Sequence, residues 1–136
     1  MKIVIDTNIL WVSISRHSKT HWVIEELIKG KYTLCITTDI LNEYAEIISQ
    51  KLGSDTAKGI LEMLDNLPNV AHITNFYRWG LIEQDYDDNK FVDCAIASNA
   101  HYLATNDKHF NILKIIEFPK VHVINVSEFK QILEVI

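Results

Sequence analysis

Four acidic residues, Asp6, Glu43, Asp93 and Asp107, stand inside or at the edge of apolar runs, where strands and helices begin or end. Asp6 closes Ile3-Val4-Ile5, Asp107 follows Tyr102-Leu103-Ala104-Thr105, and Asp93 interrupts Phe91-Val92-Asp93-Cys94-Ala95-Ile96-Ala97. A carboxylate in such surroundings carries a large desolvation cost unless a partner offsets it. No Lys or Arg closely follows Asp6 or Asp93. Carboxylates that converge without cations repel and raise each other's pKa. A hard divalent cation, Mg²⁺ or Mn²⁺, removes both problems through oxygen ligands. The predicted chemistry is therefore that of a carboxylate-held metal.

Each acid also has a plainer reading. Asp6, before Thr7 and Asn8, could cap a following helix or turn. Glu43 could be a solvated helix residue. It is preferred over Asp39, four residues earlier, because Asp39 near the helix start complements the helix dipole. Asp107 could be a turn or N-cap residue. Asp87 and Asp88 read first as caps, with Asp88 adding an outer carboxylate to the site.

The elements that must position these groups alternate strand and helix. Residues 2–5, 32–37, 70–73, 102–105 and 121–126 read as strands. Helical spacing is read over residues 19–29, 39–51 capped by Thr38, a helix capped by Ser54 and running to about Leu67, Asp87 or Asp88 to Asn99, and from Ser127 onward. Residues 74–86 read as a loop with a short helical turn. This alternation predicts an α/β fold: a three-layer α/β/α sandwich on a mainly parallel five-stranded sheet. Ligands of such sheets bind beyond the strands' carboxyl ends, where Asp6 and Asp107 fall.

With 136 residues and 48% hydrophobic content, a single domain over 1–136 with a real core is expected. No run reaches the roughly 18 apolar residues needed to span a membrane, so a cytoplasmic protein is expected. The net charge of −5 disfavours an open basic nucleic-acid binder. It leaves room for an enzyme whose acidic excess sits in a metal site. Cys35 and Cys94 form no CxxC pair and read as buried hydrophobes. The six histidines, His109 among them, show no HxH or HExxH spacing and read as surface or satisfied residues, which disfavours zinc. No dinucleotide, P-loop or GxSxG motif occurs.

At these residues the chain resembles the PIN domain family of metal-dependent ribonucleases. The resemblance is carried by Ile5-Asp6-Thr7-Asn8-Ile9-Leu10, Leu41-Asn42-Glu43-Tyr44, the run from Asp87-Asp88-Asn89-Lys90 to Ala97, and Thr105-Asn106-Asp107-Lys108-His109-Phe110. It implies Mg²⁺ or Mn²⁺ held by Asp6, Glu43, Asp93 and Asp107, with endoribonuclease activity. By position it assigns Thr7 and Asn8 to the residues after the first acid and Thr105 to the hydroxyl of the fourth motif. The chain is most similar to the VapC-like branch of toxins from toxin–antitoxin pairs. That branch implies an RNA substrate, a cognate antitoxin partner and a possible homodimer.

Phosphodiester hydrolysis needs an activated water and charge relief at phosphorus, which one or two metal ions supply. Asp6 is expected to be the shared ligand, and Glu43 a ligand or base. Lys90 or Arg16 is expected to steady the substrate phosphate. A haloacid-type phosphatase needs a second Asp two residues after the first, and Asn8 stands there. A receiver module needs paired acids at the first strand. A non-catalytic PIN scaffold that binds protein or RNA is the remaining alternative.

Overall fold

Ile3, Val4 and Ile5 are fully buried, as expected of a strand covered on both faces. They belong to β1 (Lys2–Ile5), the centre of the sheet. The computed structural model describes all residues except Phe76 and Gln84, and Tyr86 by its backbone alone. In chain order β1 is followed by α1 (Thr7–Ser13), α2 (Trp22–Ile28), β2 (Thr33–Ile36), α3 (Thr38–Leu52) and α4 (Ser54–Asn66). Then come β3 (Val70–His72), α5 (Asn89–Ser98), β4 (Tyr102–Ala104), β5 (Val123–Ile124) and α6 (Val126–Glu134). Two 3₁₀ segments, Tyr86–Asp88 and Lys108–Ile115, precede α5 and follow β4.

The sheet order is β3-β2-β1-β4-β5 and every pairing is parallel. From β1 the chain steps outward to β2 and β3, then returns across the sheet to β4. Right-handed crossovers therefore place the two sets of connections on opposite faces, which gives the expected three-layer α/β/α sandwich. The reversal falls between β1 and β4, where Ile5 pairs with Ala104. This is the switch point at which parallel α/β sheets bind ligands.

Several boundaries move from their predicted positions. Thr37, not Thr38, caps α3, its hydroxyl accepting the Ile40 N–H at 3.2 Å. Ser54 is the first residue of α4, and Gly53 before it adopts φ 96°, which a side chain would resist. The last helix starts at Val126, capped by Asn125 in a reciprocal box with Glu128. Asn99 takes the left-handed conformation, φ 53°, and ends α5. Helix α1 and the segment after β4 were not assigned from periodicity, because each is short. Cys35 and Cys94 are buried and unpaired, as expected. Among the described residues no helix is long and apolar enough to cross a membrane.

Candidate metal centre

The two central strands deliver the first pair of acids. The Asp6 N–H donates to the Ala104 carbonyl at 3.0 Å, so the residues just beyond β1 and β4 lie side by side. The Thr105 hydroxyl donates to Asp6 Oδ2 at 2.7 Å and accepts the Asp107 N–H at 3.0 Å. Thr105 therefore links the two carboxylate-bearing turns. Asp6 is 5% exposed, and its carboxylate makes no capping hydrogen bond to α1. Burial raises its pKa above the usual carboxylate range. The Thr105 hydroxyl and the nearby Asn8 N–H oppose that rise, and the charges of Asp107 and Glu43 add to it.

Helix α3 brings Glu43. Its neighbour Tyr44 is fully buried, and its hydroxyl donates to the Ile5 carbonyl at the end of β1. That bond fixes the first turns of α3 against the residue preceding Asp6. The buried Thr7 hydroxyl donates to Glu43 Oε2, and Lys90 Nζ donates to Glu43 Oε1 at 2.7 Å. Burial works against the Lys90 charge, but the bond to Glu43 and the charges of Glu43, Asp87 and Asp39 outweigh it and raise its pKa. Lys90, expected to hold substrate phosphate, is thus engaged by Glu43.

Asp88 joins this group from the start of α5. Its pKa is pushed up from 3.8 to about 7, first by burial and then by the charges of Asp85, Asp107 and Asp6, with His109 pulling the other way. Its Oδ2 is inaccessible to solvent and has no hydrogen-bond partner among the described residues. Asp85 lies one 3₁₀ turn earlier, and its carbonyl accepts the Asp88 N–H at 3.2 Å. His109 Nδ1 lies 3.9 Å from Asp88 Oδ2 and 3.6 Å from Asp107 Oδ1. Among the described residues, the group whose possible ligand atoms all lie within 4.8 Å of one another is Asp85, Asp88 and His109. Sequence reasoning passed over Asp85 and set His109 aside. The available signals were the three-residue step from Asp85 to Asp88 and the place of His109 two residues past Asp107.

Asp93 is buried on α5, but its surroundings differ. Its Oδ1 accepts the Trp79 N–H at 3.1 Å. Burial raises its pKa, and the Trp79 bond and the Arg78 charge lower it. It lines a cleft of about 530 Å³ with Thr37, Arg78, Trp79 and Lys90. Asp6 and Asp107 open instead into a cleft of about 350 Å³ shared with Asn8 and Thr20. Asp6, Glu43, Asp88 and Asp107 thus interact through charge, while Asp93 faces the Arg78–Trp79 segment. Arg16 is exposed in the turn after α1, with no described contact to the acids.

Carboxylates gathered where a parallel α/β sheet reverses its winding define a class of proteins with an acidic centre at the strands' carboxyl ends. The chain belongs to the PIN domain family, whose model matches residues 2–109. That span contains every acid of the candidate centre. No curated protein matches the chain. Among solved structures it is similar to VapBC2 from Rickettsia felis bound to a DNA fragment from their promoter. That match has 24% identity and a TM-score of 0.63, and covers 92% of this chain and 98% of the other. It is also similar to FitAcB from Neisseria gonorrhoeae, at 16% identity and a TM-score of 0.58, covering 92% and 98%. A third is VapC20 of Mycobacterium tuberculosis, a Sarcin-Ricin loop cleaving toxin, at 16% identity and a TM-score of 0.55, covering 85% and 97%. At these identities the likeness is one of fold.

Proposed function

We propose that the protein is a divalent-cation-dependent endoribonuclease and the toxin of a toxin–antitoxin pair. The observation that carries this reading is Asp88 Oδ2, buried among the charges of Asp6, Asp85 and Asp107 and without a hydrogen-bond partner among the described residues. A buried acceptor left unpaired in an acidic group fits a missing cation better than a structural role. Asp6, Asp88 and Asp107 would hold Mg²⁺ or Mn²⁺, with Glu43 a ligand or base. In this reading Asp88 takes the place that the apolar surroundings had assigned to Asp93. When bound, the cation supplies charge relief at the phosphate and a more acidic water. Thr105 holds Asp6 and the Asp107 turn in register, and Thr7 orients Glu43. Lys90 holds Glu43 Oε1 at 2.7 Å while the Thr7 hydroxyl holds Oε2. The fold likeness to VapBC2, FitAcB and VapC20 supports the toxin assignment, an antitoxin partner and an RNA substrate.

A scaffold without catalysis is favoured by one observation, the Lys90–Glu43 ion pair, which already occupies one oxygen of the candidate base. Cleavage of single-stranded RNA separates the readings. Wild type should cleave with Mg²⁺ or Mn²⁺ and stop in EDTA. Asp6→Asn should fold and cleave at least about a hundredfold more slowly, the scale of losing one preorganised electrostatic group. Equal cleavage by Asp6→Asn, or cleavage persisting in EDTA, would rule the nuclease mechanism out.

A further inference from the structure

We propose that Asp85, Asp88 and His109 form a mixed oxygen–nitrogen cation site that takes a first-row transition ion such as Mn²⁺ in preference to Mg²⁺. The three groups come from the 3₁₀ turn before α5 and the segment after β4, and their ligand atoms lie within 4.8 Å of one another. A six-coordinate ion about 2.1 Å from its ligands holds ligand atoms from about 3.0 Å apart when adjacent to about 4.2 Å when opposite. The 3.9 Å between His109 Nδ1 and Asp88 Oδ2 falls in that range and is too long for a hydrogen bond. Direct contact with the imidazole therefore leaves Asp88 Oδ2 unsatisfied, and that atom is shut off from water.

The backbone holds the groups where they are. The His109 N–H donates to Asp107 Oδ1 at 2.9 Å, so the imidazole is carried on the turn that presents Asp107. Asn89 clamps the segment preceding Asp85, accepting the Ile82 N–H and donating to the Ile82 carbonyl, each at 2.9 Å. Carboxylates alone suit Mg²⁺ and Mn²⁺ alike, whereas an imidazole nitrogen adds affinity for transition ions and little for Mg²⁺. His109 is the atom set's discriminating member. The site shares Asp88 with the centre of the proposed nuclease and rests on that reading only through this residue.

The test uses the intact protein with Mn²⁺ and Mg²⁺ as probes. Calorimetry gives both affinities, and electron spin-echo modulation of bound Mn²⁺ detects a directly bound nitrogen. Wild type should show the nitrogen coupling and bind Mn²⁺ more tightly than Mg²⁺. His109→Ala should lose the coupling and about tenfold in Mn²⁺ affinity, with Mg²⁺ affinity nearly unchanged. The His109 ring is 45% exposed, so the variant should keep the fold. Asp85→Asn should weaken Mn²⁺ binding, and Asp6→Asn should keep the nitrogen coupling. Mn²⁺ bound without nitrogen coupling, or an unchanged Mn²⁺-to-Mg²⁺ ratio in His109→Ala, would overturn this proposal and leave the carboxylate centre standing. A wild type that binds neither cation would overturn both.

Discussion

Replacing Asp88 with Asn should stabilise the metal-free protein, and the gain should depend on pH. In the fold the Asp88 pKa is about 7, against 3.8 for an ordinary Asp. The folded state then binds more protons than the unfolded chain between those values. Stability contributed below about pH 4 is lost as pH climbs to 7. A difference of about three pH units at ~1.4 kcal/mol each sets a ceiling near ~4 kcal/mol. The Asp88 side chain keeps 15% exposure, and its neighbours relax, so about 1–2 kcal/mol is the expected gain at pH 8. For a chain of this length that corresponds to a rise in Tm of roughly 3–6 °C. The amide is nearly isosteric, so no cavity cost enters. Thermal melting in EDTA at pH 8 and pH 5 reads the effect, which should be smaller at pH 5. Excess Mn²⁺ should then reverse the order, because at a hundred times Kd it adds about 2.7 kcal/mol to wild type. If Asp88→Asn melts below wild type in EDTA at pH 8, its carboxylate has a protein partner and the reasoning is refuted.

Asp93→Ala should cost about 1–3 kcal/mol by leaving the Trp79 N–H without its acceptor. The Tm rise produced by Mn²⁺ should match that of wild type, and a smaller rise would return Asp93 to the metal. Tyr44→Phe should cost about 1 kcal/mol by removing the bond to the Ile5 carbonyl. It should also slow RNA cleavage, because Glu43 loses its anchor beside β1, and unchanged cleavage would show that the Thr7 and Lys90 bonds suffice to position Glu43. Asn125→Ala should lower stability by about 1 kcal/mol through the α6 cap, with cation binding unchanged in calorimetry.

Asp6 was legible because it ends a strand whose apolar residues could only be central. Asp107 was legible for the same reason on β4, and the alternation of elements predicted the parallel sandwich. Asp93 reads as a metal ligand from sequence because a buried carboxylate needs a partner. Its partner is a main-chain N–H fourteen residues earlier, and main-chain donors leave no trace in residue types. Asp88 read as a cap, yet its side chain makes no capping bond. Burial and the charges of Asp85, Asp107 and Asp6 raise its pKa, and only the fold brings Asp6 and Asp107 near. His109 was discounted because metal spacing was sought within the chain, whereas its neighbours Asp85 and Asp88 lie more than twenty residues away. The shifted caps at Thr37, Asn125 and Gly53 reflect turn geometry, in which several adjacent polar or flexible residues could serve.

The bond from Thr105 to Asp6 joins residues 99 positions apart. During synthesis, β1 emerges first and can pair with β2, but its other neighbour does not exist until residues 102–104 are made. A chain halted before that point holds Asp6 and Glu43 without Thr105, Asp107 or His109. Whatever chemistry the centre performs is therefore withheld from every copy halted there. Only a chain synthesised past residue 109, released far enough for β4 to slot beside β1, assembles it. For a protein that would cut the RNA of the cell making it, the order of the strands acts as a delay on its own arming.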